Sequence, residues 1–289
     1  MKKYSISNDI YNLTVSDHGA EITSLLKNGR ELMWQADPAF WGRTSPVLFP
    51  QVGAVWEKKY RFGGKTFEMG QHGFARDMDF NLVSETGDEL IFELRDTEET
   101  RAKYPFAFVL RIGYKLTYGG VEVIWEVVNP SDSDMYFSIG GHPAFNCDLN
   151  KDRLLFMNGA DAVSGNLVSN IVALDGSGCL SDRTKEVKLK DGILELKPEL
   201  FDEDALVIEN RQADRVTILG SDKKEIVSVS FDAPLFGVWS PVHKNAPFVC
   251  IEPWYGRCDR AGFAGDLAER EYGNKLTAGE KFKVSYTIA

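Results

Sequence analysis

Leu110-Arg111-Ile112-Gly113-Tyr114-Lys115-Leu116-Thr117-Tyr118-Gly119-Gly120-Val121-Glu122-Val123-Ile124-Trp125-Glu126-Val127-Val128 holds two runs of alternating residues joined at a pair of glycines. Leu110, Ile112, Tyr114 and Leu116 point one way, and Arg111, Gly113, Lys115 and Thr117 the other. A period of two is the signature of a half-buried strand. After Gly119-Gly120 the pattern resumes with Val121, Val123, Trp125 and Val127 on one face. Two such runs around a glycine turn predict a tight antiparallel hairpin.

The same signal recurs along the chain. Gly63-Gly64 separates Tyr60-Arg61-Phe62 from Thr66-Phe67-Glu68, and Thr86-Gly87-Asp88 separates residues 81–84 from 90–94, each predicting a hairpin. Further strands fit residues 3–7, 13–16, 20–27, 31–34, 206–210, 215–219 and 226–231. Helical periodicity is scarce: Thr97 to Tyr104, ended by Pro105, is one short candidate, and a turn near residue 200 is another. Residues 131–134 read as a polar loop, and residues 161–181 are rich in Gly, Ser and Asp. Many short strands with so few helices must bury their apolar faces sheet against sheet. The expected fold is therefore all-β, a large antiparallel β-sandwich with few short helices. No linker divides the 289 residues, so 1–289 is read as one domain.

Composition narrows the function. The net charge of -10 disfavours nucleic acid and anionic membrane partners, which require clustered Lys and Arg. A neutral sugar is indifferent to that field, whereas a phosphorylated one needs a local basic pocket. The first residues carry no apolar run of signal-peptide length and no later run approaches a membrane span, so a cytoplasmic location is expected. Cys147, Cys179, Cys250 and Cys258 form no CxxC pair or zinc spacing and read as reduced thiols. Dinucleotide, P-loop, HExxH and GxSxG patterns are absent, so neither cofactor nor metal is expected and the chemistry falls to His, Glu, Asp and Arg.

His142 sits in Ser138-Ile139-Gly140-Gly141-His142-Pro143-Ala144-Phe145-Asn146, a glycine and proline corner where strand pairing is expected to stop. Such a corner can present the ring for proton transfer or bury it as a capping residue. His72, in Gln71-His72-Gly73-Phe74-Ala75-Arg76, has the same two readings, while His18 and His243 lie in polar turns and read as surface residues. Glu252, in Cys250-Ile251-Glu252-Pro253-Trp254-Tyr255-Gly256-Arg257, is either a solvated strand end or a carboxylate at the rim of the core. The aromatics Trp254 and Tyr255 favour the rim and suit a sugar face. Arg43 follows Trp41 and can bind vicinal hydroxyls or a phosphate, or stack on that ring. Asp204 can accept from sugar hydroxyls or cap a local turn.

Taken together, GRTSPVLFP around Arg43, QHGFAR around His72, GGHPAFN around His142, LFDEDALV around Asp204 and IEPWYGRCD around Glu252 resemble the aldose 1-epimerase, or galactose mutarotase, family. The closing LTAGEKF at residues 276–282 extends the resemblance to nearly the whole chain. The resemblance implies a β-supersandwich with a sugar on its concave face. It implies Glu252 as the base on the anomeric hydroxyl and His142 as the acid on the ring oxygen. It further implies His72, Arg43 and Asp204 as substrate-positioning residues. QHGFAR is similar in style to the hexose 6-phosphate epimerase branch, which makes Arg76 and Arg43 candidates for phosphate. The sugar partner, hexose or hexose phosphate, stays open, as does monomer against dimer. A non-catalytic sugar-binding module is a competing class. A glycoside hydrolase would need two carboxylates across the scissile bond, with Glu252 and Asp204 so used, and would leave His142 idle. For an acid role at neutral pH, the His142 pKa would have to be raised from 6.5 by a nearby carboxylate.

Overall fold

A computed structural model describes residues 1–289. Two large sheets face each other, and every pairing of their strands is antiparallel. The ten-stranded sheet contains Val109–Thr117 and Gly120–Val128, paired from Val109↔Val128 to Thr117↔Gly120. The turn thus lies at Tyr118-Gly119, one residue earlier than the glycine pair suggests, and Gly120 begins the second strand. Its φ of +142° and the carbonyl oxygen of Ile288, only 2.3 Å from where a β-carbon would stand, both require glycine. That close approach belongs to the last strand, Lys281–Ile288, which is inserted between Gly120–Val128 and Glu225–Phe231.

The alternation has the expected consequence. Leu110, Ile112, Tyr114, Leu116, Val121, Val123, Trp125 and Val127 all enter one core cluster of 60 buried residues. On the opposite face Arg111 bridges two neighbouring strands, with Nε 2.7 Å from Glu93 and Nη1 2.5 Å from Glu126. These are its register partners on either side, so the polar face is laced by opposite charges.

The eight-stranded sheet supplies the other half of the core and runs through Leu206–Glu209, Leu235–Trp239, Phe248–Tyr255, Ile139–Gly141 and Val47–Leu48 in that order. Phe248–Tyr255 is buried at every position. Val249, Ile251 and Tyr255 face the sandwich core, where Tyr255 meets Trp125 at 6.4 Å between ring centroids. Phe248, Cys250 and Trp254 belong to two smaller clusters on the other side. A strand covered on both faces loses its alternation of polarity. Its outer side is the floor of a cleft.

Short hairpins and caps follow the expected pattern. Lys59–Phe62 pairs with Lys65–Glu68, and Asn81–Glu85 with Glu89–Arg95. The helix Glu98–Lys103 is capped by Thr97, whose side chain accepts from the Thr100 amide. Within the Gly-, Ser- and Asp-rich residues 161–181, Leu167–Val172 is a strand, and it pairs with Leu180–Val187. One expectation needs correction. The strand expected over 31–34 is only Arg30–Glu31, with Met33 making an isolated bridge to Phe145. No helix is long and apolar enough to cross a membrane.

Candidate active site

Glu252 projects from the outer face of Phe248–Tyr255 and is 1% exposed, so it is no solvated strand end. The strand is flanked by Leu235–Trp239 on one side and by Ile139–Gly141 and Ala144–Asn146 on the other. His142 occupies the break between these last two segments. Pairing does stop there, but only for His142-Pro143, and resumes at Ala144 opposite Cys250. The His142 amide donates to the Pro46 carbonyl and the Ala144 amide to the Thr44 carbonyl, which ties the break to the Arg43 segment. The histidine is not made accessible by its glycines, for it is only 7% exposed. Its ring is wedged between aromatics, stacked on Trp41 at 4.7 Å and edge-on to Trp239 at 5.3 Å.

This placement brings His142 Nδ1 to 3.4 Å from Glu252 Oε1. Residues 110 positions apart thereby share one spot on the cleft floor. Neither His142 Nδ1 nor Glu252 Oε2 has a hydrogen-bond partner, although both atoms are buried. Buried polar groups are nearly always satisfied. Two orphans side by side in a cleft mark where a polar ligand belongs.

The other candidates converge on the same cavity, about 400 Å³ in volume, whose lining includes Arg43, His72, Arg76, His142, Asp204, Glu252 and Trp254. His72 Nδ1 accepts from the Gly53 amide at 3.1 Å, which places the ring proton on Nε2 as a donor. Arg43 does not stack on Trp41, which is taken by His142. Instead Arg43 Nη2 lies 2.5 Å from Asp77, whose other carboxylate oxygen is 3.9 Å from Arg76 Nε. Arg76 also donates to the Gln71 carbonyl at 2.9 Å. Asp204 has φ +69° and accepts from its neighbour's amide, Ala205, at 2.8 Å. Burial raises its carboxyl above the ordinary value. Arg257 stays outside the cleft, paired with Glu209 and Glu271.

Four contributors were not singled out as site residues by sequence reasoning: Trp239, Asp77, Gln71 and Trp41 as a partner of His142. Only adjacency gives a signal for two of them, Asp77 following Arg76 and Trp41 preceding Arg43 by two.

The electrostatics correct one expectation. No carboxylate raises His142. Burial pushes its pKa down to about 3, and the Arg76 and Arg43 charges add to the fall. Burial moves Glu252 the other way, well above 4.5. His72 falls well below 6.5 for the same reason as His142, with His142 and the two arginines contributing. Desolvation disfavours whichever form is charged, so burial favours the neutral form of both members of the pair. Cys250 lies close by, its sulfur within 4.8 Å of donor atoms of both. Burial, reinforced by Glu252, holds it as a protonated thiol, suited to packing rather than to nucleophilic or ligand chemistry.

A sandwich carrying a histidine, a carboxylic acid and two arginines in one cleft defines a class. Residues 2–288 match the family model described as aldose 1-epimerase, and the chain belongs to that family. Among particular relatives, the structure of a galactose mutarotase related enzyme from Lactobacillus acidophilus is 36% identical. It superposes with a TM-score of 0.91, covering 100% of this chain and 97% of the other. A galactose mutarotase-like protein from Lactobacillus casei is 28% identical, with a TM-score of 0.90 and 99% of each chain covered. The plasmid protein LacX of Lactococcus lactis subsp. lactis is 28% identical over 98% of this chain and 97% of its own length.

Proposed function

We propose that the protein is an aldose 1-epimerase that interconverts the α and β anomers of a hexose, with Glu252 and His142 moving the protons. The observation that carries this reading is the buried, unpartnered pair at 3.4 Å on the cleft floor. Ring opening takes the proton from O1, delivers one to O5, breaks C1–O5 and leaves an aldehyde. Rotation about C1–C2 and reclosure on the other face complete the exchange. One base and one acid suffice, and each transfer is worth roughly 10² to 10⁴ in rate.

The pair carries a single proton between its members throughout this cycle. In its ion-pair form, Glu252 accepts from O1 while His142 donates to O5, and the result is the neutral pair that burial favours. Closure then runs the same transfers backward. Sugar hydroxyls satisfy the orphaned Nδ1 and Oε2 and supply the polar surroundings in which proton transfer across the short gap becomes cheap. His72 through Nε2, Arg43, Arg76 and Asp204 hold the remaining hydroxyls.

Polarimetry of freshly dissolved α-D-glucose and α-D-galactose tests the reading, with acceleration expected from the wild type and none from Glu252→Gln. If wild type and variant are equally inert across a broad sugar panel, the enzyme reading fails. Sugar binding seen by calorimetry without acceleration would then identify a binding module. A second substrate, a hexose 6-phosphate, is favoured by one observation: Arg76 Nε is buried without a hydrogen-bond partner, which suits an anion. Comparing glucose with glucose 6-phosphate distinguishes the two, since a phosphate specialist should lose its preference in Arg76→Ala.

A further inference from the structure

Trp254 lines the cleft but is only 6% exposed, and its ring lies along the sheet. A β-carbon on Gly237 would stand 2.5 Å from Cζ2 and 2.6 Å from Cη2 of the indole, and one on Gly140 would stand 2.6 Å from Cδ1. These glycines occupy the strands on either side of Phe248–Tyr255, Gly140 opposite Trp254 and Gly237 opposite Glu252. Neither has a positive φ, so backbone conformation does not demand glycine at either place. Glycine weakens a strand interior, and its presence there marks a close approach. Here the close approach is the indole, which spans three strands.

The berth fixes where the ring's one polar atom goes. Trp254 and Glu252 are two residues apart on the same face and line the same cleft, and the indole N–H acts to lower the Glu252 pKa against the larger effect of burial. Trp254 Nε1 is buried without a formed hydrogen bond, as is Glu252 Oε2. One is a donor only, and the other is an acceptor when ionised.

We propose that Trp254 is a positioning residue for Glu252, seated by Gly140 and Gly237 so that its indole N–H bonds the carboxylate whenever Glu252 gives up its proton. The inference rests on the reading of Glu252 as the base. The other groups around that carboxyl are His142 at 3.4 Å, Cys250 and Asp204, while Arg43, Arg76 and His72 act on it through His142. Trp254 is thus the neutral donor in a ring of titratable groups. Its loss destabilises the carboxylate and makes Glu252 hold its proton to higher pH.

The test uses the full chain labelled with ¹⁵N-tryptophan. The indole resonance lost in Trp254→Phe should shift with pH in the wild type and stop shifting in Glu252→Gln. A resonance that does not titrate, or titrates unchanged in Glu252→Gln, overturns the proposal. This reading needs no sugar, so it stands apart from the success or failure of the epimerase assay. Where the wild type accelerates mutarotation, the alkaline limb of kcat/KM in Trp254→Phe should move upward by about one pH unit. Gly237→Ala, which pushes the ring aside without removing it, should move the limb in the same direction. An unmoved limb in both variants also overturns the proposal.

Discussion

His142 and Glu252 are opposite cases of one effect: burial drives the histidine down to about 3 and the carboxyl well above 4.5. Between those limits the pair keeps one proton, which is the count that the proposed ring opening needs. Below the lower limit His142 gains a second proton and no base remains. Above the upper one Glu252 loses the only proton and no acid remains. The kcat/KM of mutarotation is therefore expected to rise from about pH 3, hold a plateau and fall on the alkaline side, as macroscopic values of the pair. A profile that instead follows an ordinary histidine near 6.5 would contradict this account. The Asp77 clamp makes a separate prediction. Asp77→Ala frees Arg43 and Arg76 from their shared carboxylate, and KM is expected to rise roughly 3- to 10-fold with kcat nearly unchanged, a loss of uniform binding. Steady-state polarimetry separates the two parameters.

The hairpin Val109–Thr117 and Gly120–Val128 was legible because one of its faces is buried and the other is wet. Ile112, fully buried, sits on the first of these. Ile112→Ala should cost about 2–5 kcal/mol, read as a lower denaturant midpoint with unchanged m. Leu180–Val187 was illegible for the converse reason. Only its ends are buried, its middle is Ser-Asp-Arg-Thr-Lys-Glu, and what makes it a strand is the backbone ladder to Leu167–Val172. No hydrophobic period reports a pairing of that kind. Phe248–Tyr255 hides its polarity in another way, since both faces are covered and the one carboxylate among its apolar residues points into a cleft rather than into water.

The last strand, Lys281–Ile288, lies in the interior of the ten-stranded sheet, between a hairpin from the middle of the chain and Glu225–Phe231. The sheet is thus closed only when the C-terminal residues arrive. Truncation after Leu276 is expected to prevent folding altogether, visible as loss of the cooperative thermal transition and of soluble protein. A truncated chain that still melts cooperatively would refute that role. Strand alternation, turn glycines and helix caps are local properties, so the all-β class and most hairpins follow from the residues alone. The candidate residues His142, Glu252, Arg43, His72, Arg76 and Asp204, which line one cleft, could also be nominated there, because each stands in a distinctive local setting. Their distances, the Asp77 clamp, the stacking of Trp41 on His142 and the direction of each pKa shift were decided only in three dimensions. Burial and pairing depend on which distant segments meet, and residue 142 meets residue 252 only because Phe248–Tyr255 runs beside the break at His142-Pro143.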